Sequence, residues 1–186
     1  GEYGSSLDGI EAQREKALAD TTHPAFRIPL NAITSVNILD EFKSFEKQIP
    51  KKMRKKVKRI FVSDNVMLMY ADAYKTEYGQ TVTFTEDNSF KSPYFKFEIV
   101  GLYNVPDDFF VATVEDNLFR LIDVFDKPQV TDIQKQDYVL KIFMDWHLGY
   151  DFAINELTYI AVFDASPRGL GNATLNELYY SSENLS

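Results

Sequence analysis

Residues 104–163 constrain the fold of this chain more than any other segment. They open with the turn-forming run Asn-Val-Pro-Asp-Asp, and strand-like apolar stretches follow. These stretches predict a strand pair at residues 109–114 and 118–125, then a loop, then two long strands at residues 138–147 and 150–163. Nothing in the segment resembles a catalytic constellation, so it indicates a part of the protein that builds shape.

The clearest period in the sequence lies at residues 138–147, where apolar residues alternate with others. Five residues fall on one face of this predicted strand: Tyr138, Leu140, Ile142, Met144 and Trp146. Because side chains alternate between the two faces of a sheet, we expect this face to lie on a core. Helix-forming segments precede the strands, so the order predicts an α+β domain with a mixed or antiparallel sheet and flanking helices.

The composition indicates a globular chain. Its 186 residues suffice for one domain or slightly more, and 45% of them are hydrophobic, which is enough apolar surface for a core. No run approaches the roughly 20 apolar residues of a membrane span, so we expect no membrane partner. The first residues do not resemble a signal peptide, and the start at Gly1 indicates a tag remnant, a truncated piece or a processed protein.

Charge and cysteine content argue against several classes of function. The chain has no Cys, which removes disulfide frameworks, thiolate catalysis and cysteine-based zinc sites. The formal net charge is −8. Because an acidic surface repels nucleic-acid phosphates, we expect no sequence-specific nucleic-acid partner. The two histidines, His23 and His147, are too few for a His-rich metal site.

The sequence predicts three parts. Residues 1–33 are expected to be a polar remnant or linker, helix-prone at residues 10–18 and extended near its prolines. Residues 34–163 are expected to form the α+β domain. Residues 164–186 turn polar and are expected to be a loose tail.

Two helices can be placed from their ends and their apolar spacing. Asn37 is expected to cap a helix with an apolar stripe at residues 38, 42, 45 and 49, and Pro50 to end it. Ser63 is expected to cap a second helix over residues 64–78. Gly79 should end that helix, because glycine tolerates the left-handed conformation. The other predicted segments are strands at residues 60–62 and 94–102 and a loop at residues 80–93.

Residues 51–59 contain seven cationic residues, although the net charge of the chain is negative. Met53 and Val57 are the other two residues of this run. The cationic residues are Lys51, Lys52, Arg54, Lys55, Lys56, Lys58 and Arg59. We predict a short helix here, with a solvated cationic face. The run is a candidate for contact with an acidic patch on a neighbouring subunit. Contact with nucleic acid and a plain solvated face are the alternatives.

Asp145 and His147 are the pair that suggests a reaction. They lie two residues apart on a predicted strand, hence on one face, and a carboxylate that orients an imidazole is a catalytic device. No nucleophile motif accompanies them.

The acidic doublets at residues 107–108 and 115–116 lack the spacing of a calcium loop, so turn formation explains them better. We expect no catalytic, cofactor-binding or metal-binding residues, with a small hydrolase as an alternative.

Three segments, taken in order, carry a resemblance to a known family. They are residues 34–50, residues 58–63 leading into the helix at 64–78, and residues 104–113 followed by Asn117-Leu118 and residues 145–150. In this order they are similar to the C-terminal part of tailed-bacteriophage major capsid proteins, whose fold is shared with encapsulin shells.

The resemblance implies both a fold and a role. The fold would be the axial domain of a capsid subunit plus the returning strands of its peripheral domain. The role would be that of a structural phage or prophage virion protein, assembled from copies of itself around DNA in the bacterial cytoplasm, with no catalytic residues. The arm, hairpin loop and spine helix of such proteins have little room before residue 34, so we expect a fragment that forms a monomer or small oligomer.

The alternative from another class of function is an α+β domain that binds a ligand or partner through its aromatic-rich sheet. Such a domain would present a concave apolar cleft with a few converging polar groups. A capsid subunit would instead present flat, extended surfaces. The residues alone leave both readings open.

Overall fold

The structure is a computed structural model that describes residues 9–85, 88–122, 129–136, 139–145, 148–164, 166–183 and 185, with backbone only for those between 120 and 150. The helices in these ranges are α1 (Ile10–Ala19), α2 (Ile38–Gln48), α3 (Asp64–Tyr78) and α4 (Ala173–Tyr180). The strands are β1 (Phe26–Pro29), β2 (Val57–Ser63), β3 (Ser89–Lys91), β4 (Glu98–Leu102), β5 (Phe110–Val114), β6 (Leu118–Ile122), β7 (Gln129–Gln136), β8 (Val139–Asp145), β9 (Leu148–Phe152) and β10 (Thr158–Val162).

Six of these strands form one mixed sheet in the order β1-β10-β5-β2-β4-β3. The pairs β1–β10 and β2–β4 are parallel, and the other neighbours are antiparallel. Two further antiparallel pairs, β6–β9 and β7–β8, form separate two-stranded ribbons. The predicted α+β class with a mixed sheet and flanking helices is confirmed.

Strand β5 lies inside the six-stranded sheet, and all five of its residues are buried. Its side chains alternate between two hydrophobic clusters. Phe110 and Ala112 belong to the cluster that includes α2 and α3, and Val111 belongs to the cluster that includes α1. On the α2 side, Phe42 and Phe45 meet the Phe110 ring edge to face, at 5.0 and 5.8 Å between centroids. Both faces of the sheet are therefore covered near its centre.

The helix ends predicted for α3 are confirmed. Helix α2 begins after Asn37 as predicted, but Asn37 does not cap it with its side chain. The Ser63 hydroxyl accepts a hydrogen bond from the Val66 N–H at 3.1 Å, and Gly79 ends α3 with a φ of 64°. The apolar stripe of α2 is buried as predicted. The Asn37 side chain makes no capping bond, because its Oδ1 accepts the Thr34 N–H at 2.7 Å and closes the preceding turn.

The predicted helix over the basic run is wrong. Residues 51–56 form turns, in which the Pro50 carbonyl accepts hydrogen bonds from the N–H groups of Met53 and Arg54. Strand β2 then begins at Val57, which is 3% exposed. The physical reason is tertiary: β2 lies between β5 and β4, and its apolar residues are buried in that position.

The strands after residue 104 exist largely where predicted, but their pairing differs. The predicted pair at residues 109–114 and 118–125 is wrong, because β5 pairs with β2 and β10 while β6 pairs with β9. The predicted strand at residues 150–163 is two strands in different sheets, separated by a 3-10 turn at Asn155–Leu157. The strand predicted at residues 138–147 is confirmed over β8, and its end residues lie outside the described ranges.

Two strands lie in segments predicted as loops. β7 has the mostly polar sequence Gln-Val-Thr-Asp-Ile-Gln-Lys-Gln, which lacks the apolar alternation that marks a strand. β3 is only three residues long. The predicted strand at residues 94–102 begins later, at Glu98.

The six-stranded sheet takes one strand from the first of the three predicted parts, and helix α4 lies in the third. Strand β1 belongs to the first predicted part and lies at one edge of the sheet. The Phe26 ring of β1 lies 5.5 Å from the Tyr159 ring and 4.8 Å from the Tyr180 ring of α4. All three rings are buried. Aromatic packing therefore fixes both terminal segments to the sheet.

Asn117 joins the six-stranded sheet to the ribbon β6–β9. Its buried Nδ2 donates to the Thr113 hydroxyl and the Ile154 carbonyl, each at 2.9 Å, and lies 3.2 Å from the Thr158 hydroxyl. Its Oδ1 accepts the Ile154 N–H at 2.9 Å. One amide thus holds the chain both where it leaves β5 and where it returns to β10.

We predict that Asn117→Ala lowers the free energy of unfolding by about 2–4 kcal/mol, because the substitution leaves several buried polar groups unpaired. Urea denaturation at constant pH measures this change. Asn65→Ala is the matched control, since Asn65 is exposed on α3 and its loss should cost no more than about 0.5 kcal/mol. Equal midpoints for the two variants would contradict the role given to Asn117.

Candidate functional site: a basic groove

The basic run lies between the end of α2 and the first residues of β2. Six of its cations are exposed, and Arg54 is half-buried. A bulge in β2 opposes Val57 to Val114 and Arg59 to Thr113, which leaves Lys58 as the extra residue. A bulge breaks the alternation of a strand, so Lys58 and Arg59 are exposed in succession.

Strand pairing brings three of these cations together with two that are distant in sequence. An open groove with a volume of about 640 Å³ lies between the turn at residues 51–56, β2 and the β3–β4 hairpin. Its lining residues are Arg54, Lys55, Val57, Lys58, Lys91, Phe95, Lys96, Phe97 and Glu98. We call this surface the basic groove. The other predicted cations, Lys51, Lys52, Lys56 and Arg59, do not line it.

Arg54 is fixed as one wall of the basic groove. Its guanidinium lies over the Phe95 ring, 4.9 Å from the ring centroid. Its Nε donates to the Ile49 carbonyl at 3.0 Å, and another guanidinium nitrogen donates to the Lys47 carbonyl. These bonds hold the guanidinium on the aromatic ring, so Arg54 builds the shape of the groove more than it offers a free charge.

Ion pairs neutralise part of the surrounding charge. Arg59 Nε donates to Glu98 Oε2 at 2.8 Å, and Lys58 pairs with Glu115. The Arg59 hydrogen bond is the main cause that lowers the pKa of Glu98 below its ordinary value, so this carboxylate is held in its charged form. Glu98 also accepts the Ser89 hydroxyl at 3.1 Å.

Three lysines of the basic groove have no ion pair within the described part of the chain. They are Lys55 on the turn, Lys91 on β3 and Lys96 before β4. All three are exposed. The single carboxylate that lines the groove, Glu98, is already paired with Arg59. The groove therefore keeps an excess of positive charge on a chain that is acidic overall.

A buried carboxyl group lies beneath one wall of the groove. Glu46 on α2 is 1% exposed, and its Oε2 has no hydrogen-bond partner among the described residues. Burial raises its pKa to about 7, and interactions with the Ser92 side chain and the Phe95 backbone oppose the rise. Glu46 thus contacts the turn that carries Phe95 and Lys96, so its protonation is coupled to the turn that forms this wall.

The sequence did not reveal that Lys91 and Lys96 join the basic run. Their position depends on the antiparallel pairing of β3 with β4 and the parallel pairing of β4 with β2. The pairing of β4 with β2 joins segments about 40 residues apart, and local periodicity carries no such information. The sequence offered one signal: in the predicted strand at residues 94–102, alternation puts Lys96 on the face opposite to Phe95 and Phe97.

The possible hydrolase pair cannot be assembled from the described residues. His147 lies outside them, and Asp145 is described by its backbone alone, so the pairing stays a prediction. His23, the other histidine, is exposed and forms a pair with the buried Glu156 at 2.9 Å. The hydrogen bond that the His23 ring makes to the Glu156 carboxylate is the main cause that raises the pKa of His23.

The acidic doublets make local contacts. Asp107 accepts the Ser63 hydroxyl at 2.9 Å, and Asp108 pairs with Arg14 at 3.4 Å. Glu115 pairs with Lys58, and Asp116 has a φ of 67°, in the left-handed region that turns use. No three His, Cys, Asp or Glu side chains among the described residues are grouped so as to hold a metal ion.

The helices of the described ranges and the comparisons with known proteins give two further findings. No helix in these ranges is both long and apolar enough to cross a membrane. No known protein-family model matches the sequence, and comparison with curated proteins finds no significant match.

We predict that Glu46 makes the free energy of unfolding depend on pH between about 4.5 and 7. Its pKa is about 7 in the folded chain against an ordinary value of 4.5, so the folded state binds the proton more tightly than the unfolded state. Stability from this group is therefore complete below pH 4.5 and is lost as the pH rises to about 7. The loss should be about 1–3 kcal/mol.

Glu46→Gln replaces the titrating carboxyl group with a neutral amide and so tests the prediction. The variant should gain stability relative to the native chain as the pH rises from 5 to 8, because the native chain alone must bury a charge. Urea denaturation across this pH range measures the difference. Glu77→Gln, an exposed change on α3, is the control and should follow the native curve. If the free energies of unfolding of Glu46→Gln and the native chain differ by the same amount at all pH values, the account is contradicted.

Proposed function

We propose that this chain is a structural subunit that associates with copies of itself in a capsid-type shell and carries out no reaction. The resemblance of its ordered segments to tailed-phage major capsid proteins suggests the kind of shell. The α+β fold with a mixed sheet is compatible with this resemblance. The proposal places the protein in a phage or prophage virion, assembled around DNA in the bacterial cytoplasm.

The observation that carries the proposal is the ribbon β7–β8. Its strands pair with each other from Gln129↔Asp145 to Gln136↔Val139, and in the described ranges neither pairs with any other strand. A two-stranded ribbon alone is marginally stable in water. Its outer edges leave backbone N–H and C=O groups available to another chain. A second copy that packs on the ribbon would supply the missing contacts.

The sequence of β8 supports this use of the ribbon. Leu140, Ile142 and Met144 share one face of the strand by its alternation. Their apolar character led us to expect a core beneath this face, and the six-stranded sheet contains neither β7 nor β8. We propose that a neighbouring copy provides the covering layer, as in interfaces between obligate subunits.

We predict that the chain self-associates in a concentration-dependent manner and that Ile142→Lys weakens the association at least about tenfold. A charge placed on the buried side of an interface loses its hydration without gaining a partner. Sedimentation velocity over a concentration series measures the dissociation constant, and far-UV circular dichroism checks that the variant folds.

Lys141→Gln is the matched control for this experiment, because Lys141 falls on the opposite face of β8. It should leave the association within about twofold of the native value. A chain that stays monomeric up to about 1 mM, where a contact of about 4 kcal/mol would be half-populated, would overturn the proposed function.

A further inference from the structure

We infer that the basic groove is a docking site for an acidic segment of a second copy of this chain. The inference rests on the proposed function, since it names the contact through which the subunits would meet. The groove, its three lysines without an ion pair among the described residues and its aromatic wall carry it.

The first step is the unbalanced charge of the groove. Lys55, Lys91 and Lys96 face an open cavity of about 640 Å³ together with Arg54 and Lys58. Glu98 lines the same cavity, but Arg59 already binds it at 2.8 Å. Cations held close together without counter-charges repel one another. A carboxylate-bearing partner relieves this repulsion and forms charge-assisted hydrogen bonds with the ammonium groups.

The second step is the shape of the groove. It lies on the surface between a turn and a hairpin, and Phe95, which is 39% exposed, offers an apolar contact beside the lysines. Small-molecule sites enclose most of their ligand and are mainly apolar. An open groove with charges along its walls fits an extended protein segment better, because such a segment places several side chains along the walls at once.

The third step identifies a second copy as the source of the acidic segment. The chain carries 28 Asp and Glu against 20 Lys and Arg. Because many of the cations are concentrated near the groove, the rest of the surface is correspondingly richer in carboxylates. Every copy therefore presents both members of a complementary pair, which steers two copies toward the orientation that brings them together.

Zero-length crosslinking between two isotopic forms of the chain tests the inference. Equal amounts of ¹⁴N- and ¹⁵N-labelled chain are mixed at a concentration where they associate and are treated with a carbodiimide, which joins a lysine amine to a contacting carboxylate. Mass spectrometry of the digest then identifies crosslinks between differently labelled copies. We expect mixed-label crosslinks from Lys55, Lys91 or Lys96 to an Asp or Glu of the other copy.

Charge reversal provides the second measurement. Lys91→Glu should weaken the self-association about tenfold or more, because it places a negative charge opposite the incoming carboxylates. Lys75→Glu on α3 changes the net charge by the same amount away from the groove and is the control, with an expected effect below about twofold. Thermal unfolding of both variants confirms that they fold.

The outcomes separate this inference from the proposed function. If the chain associates but no mixed-label crosslink involves a groove lysine, the docking inference is wrong while self-association stands. If the chain does not associate at all, the proposed function fails and takes the inference with it. Binding of a labelled single-stranded oligonucleotide is measured for the native chain and for Lys91→Glu. If the substitution abolishes this binding and leaves self-association unchanged, the groove binds nucleic acid and the inference is overturned.

Discussion

The hydrogen bonds of Asn117 tie the ribbon β6–β9 to the six-stranded sheet. The amide lies between β5 and β6 in the chain and binds the Ile154 backbone and the hydroxyl of Thr158, so it ties the departing chain to the returning one. In a buried site such bonds have no competition from water, and each unpaired group would be costly. The ribbon β6–β9 is therefore anchored to the rigid sheet at this point, and β7 and β8 lie between its two strands in sequence.

The basic groove depends on the other half of the sheet. Strand β2 lies between β5, which is buried on both faces, and β4, which pairs with β3. This order brings the turn at residues 51–56 beside the β3–β4 hairpin, and it places the lysines of both segments around one cavity. The ribbon and the groove have different chemistry, apolar in the sequence of β8 and cationic at the groove.

The sequence predicted the elements that carry their own local signals. The Ser63 cap, the Gly79 end and the stripe of α2 follow from short-range chemistry, and the structure contains all three. The pairing of β5 and β6, the turns at residues 51–56 and the strand β7 were wrong or missed, because contacts distant in sequence decide them. Of the groove, the sequence identified Arg54, Lys55 and Lys58 as a candidate contact. It could not place Lys91 beside them, since that depends on the pairing of β3, β4 and β2.

The central claim is that β7 and β8 complete their packing on another copy of the chain. Hydrogen–deuterium exchange at several protein concentrations tests it most directly, because amides that gain a partner become protected. The account predicts that amides of Gln129–Gln136 and Val139–Asp145 exchange more slowly as the concentration rises, while those of β5 stay equally protected throughout. Sedimentation defines the range of protein concentration in which the chain associates. If hydrogen exchange in both ribbon strands does not change over that range, the claim is contradicted.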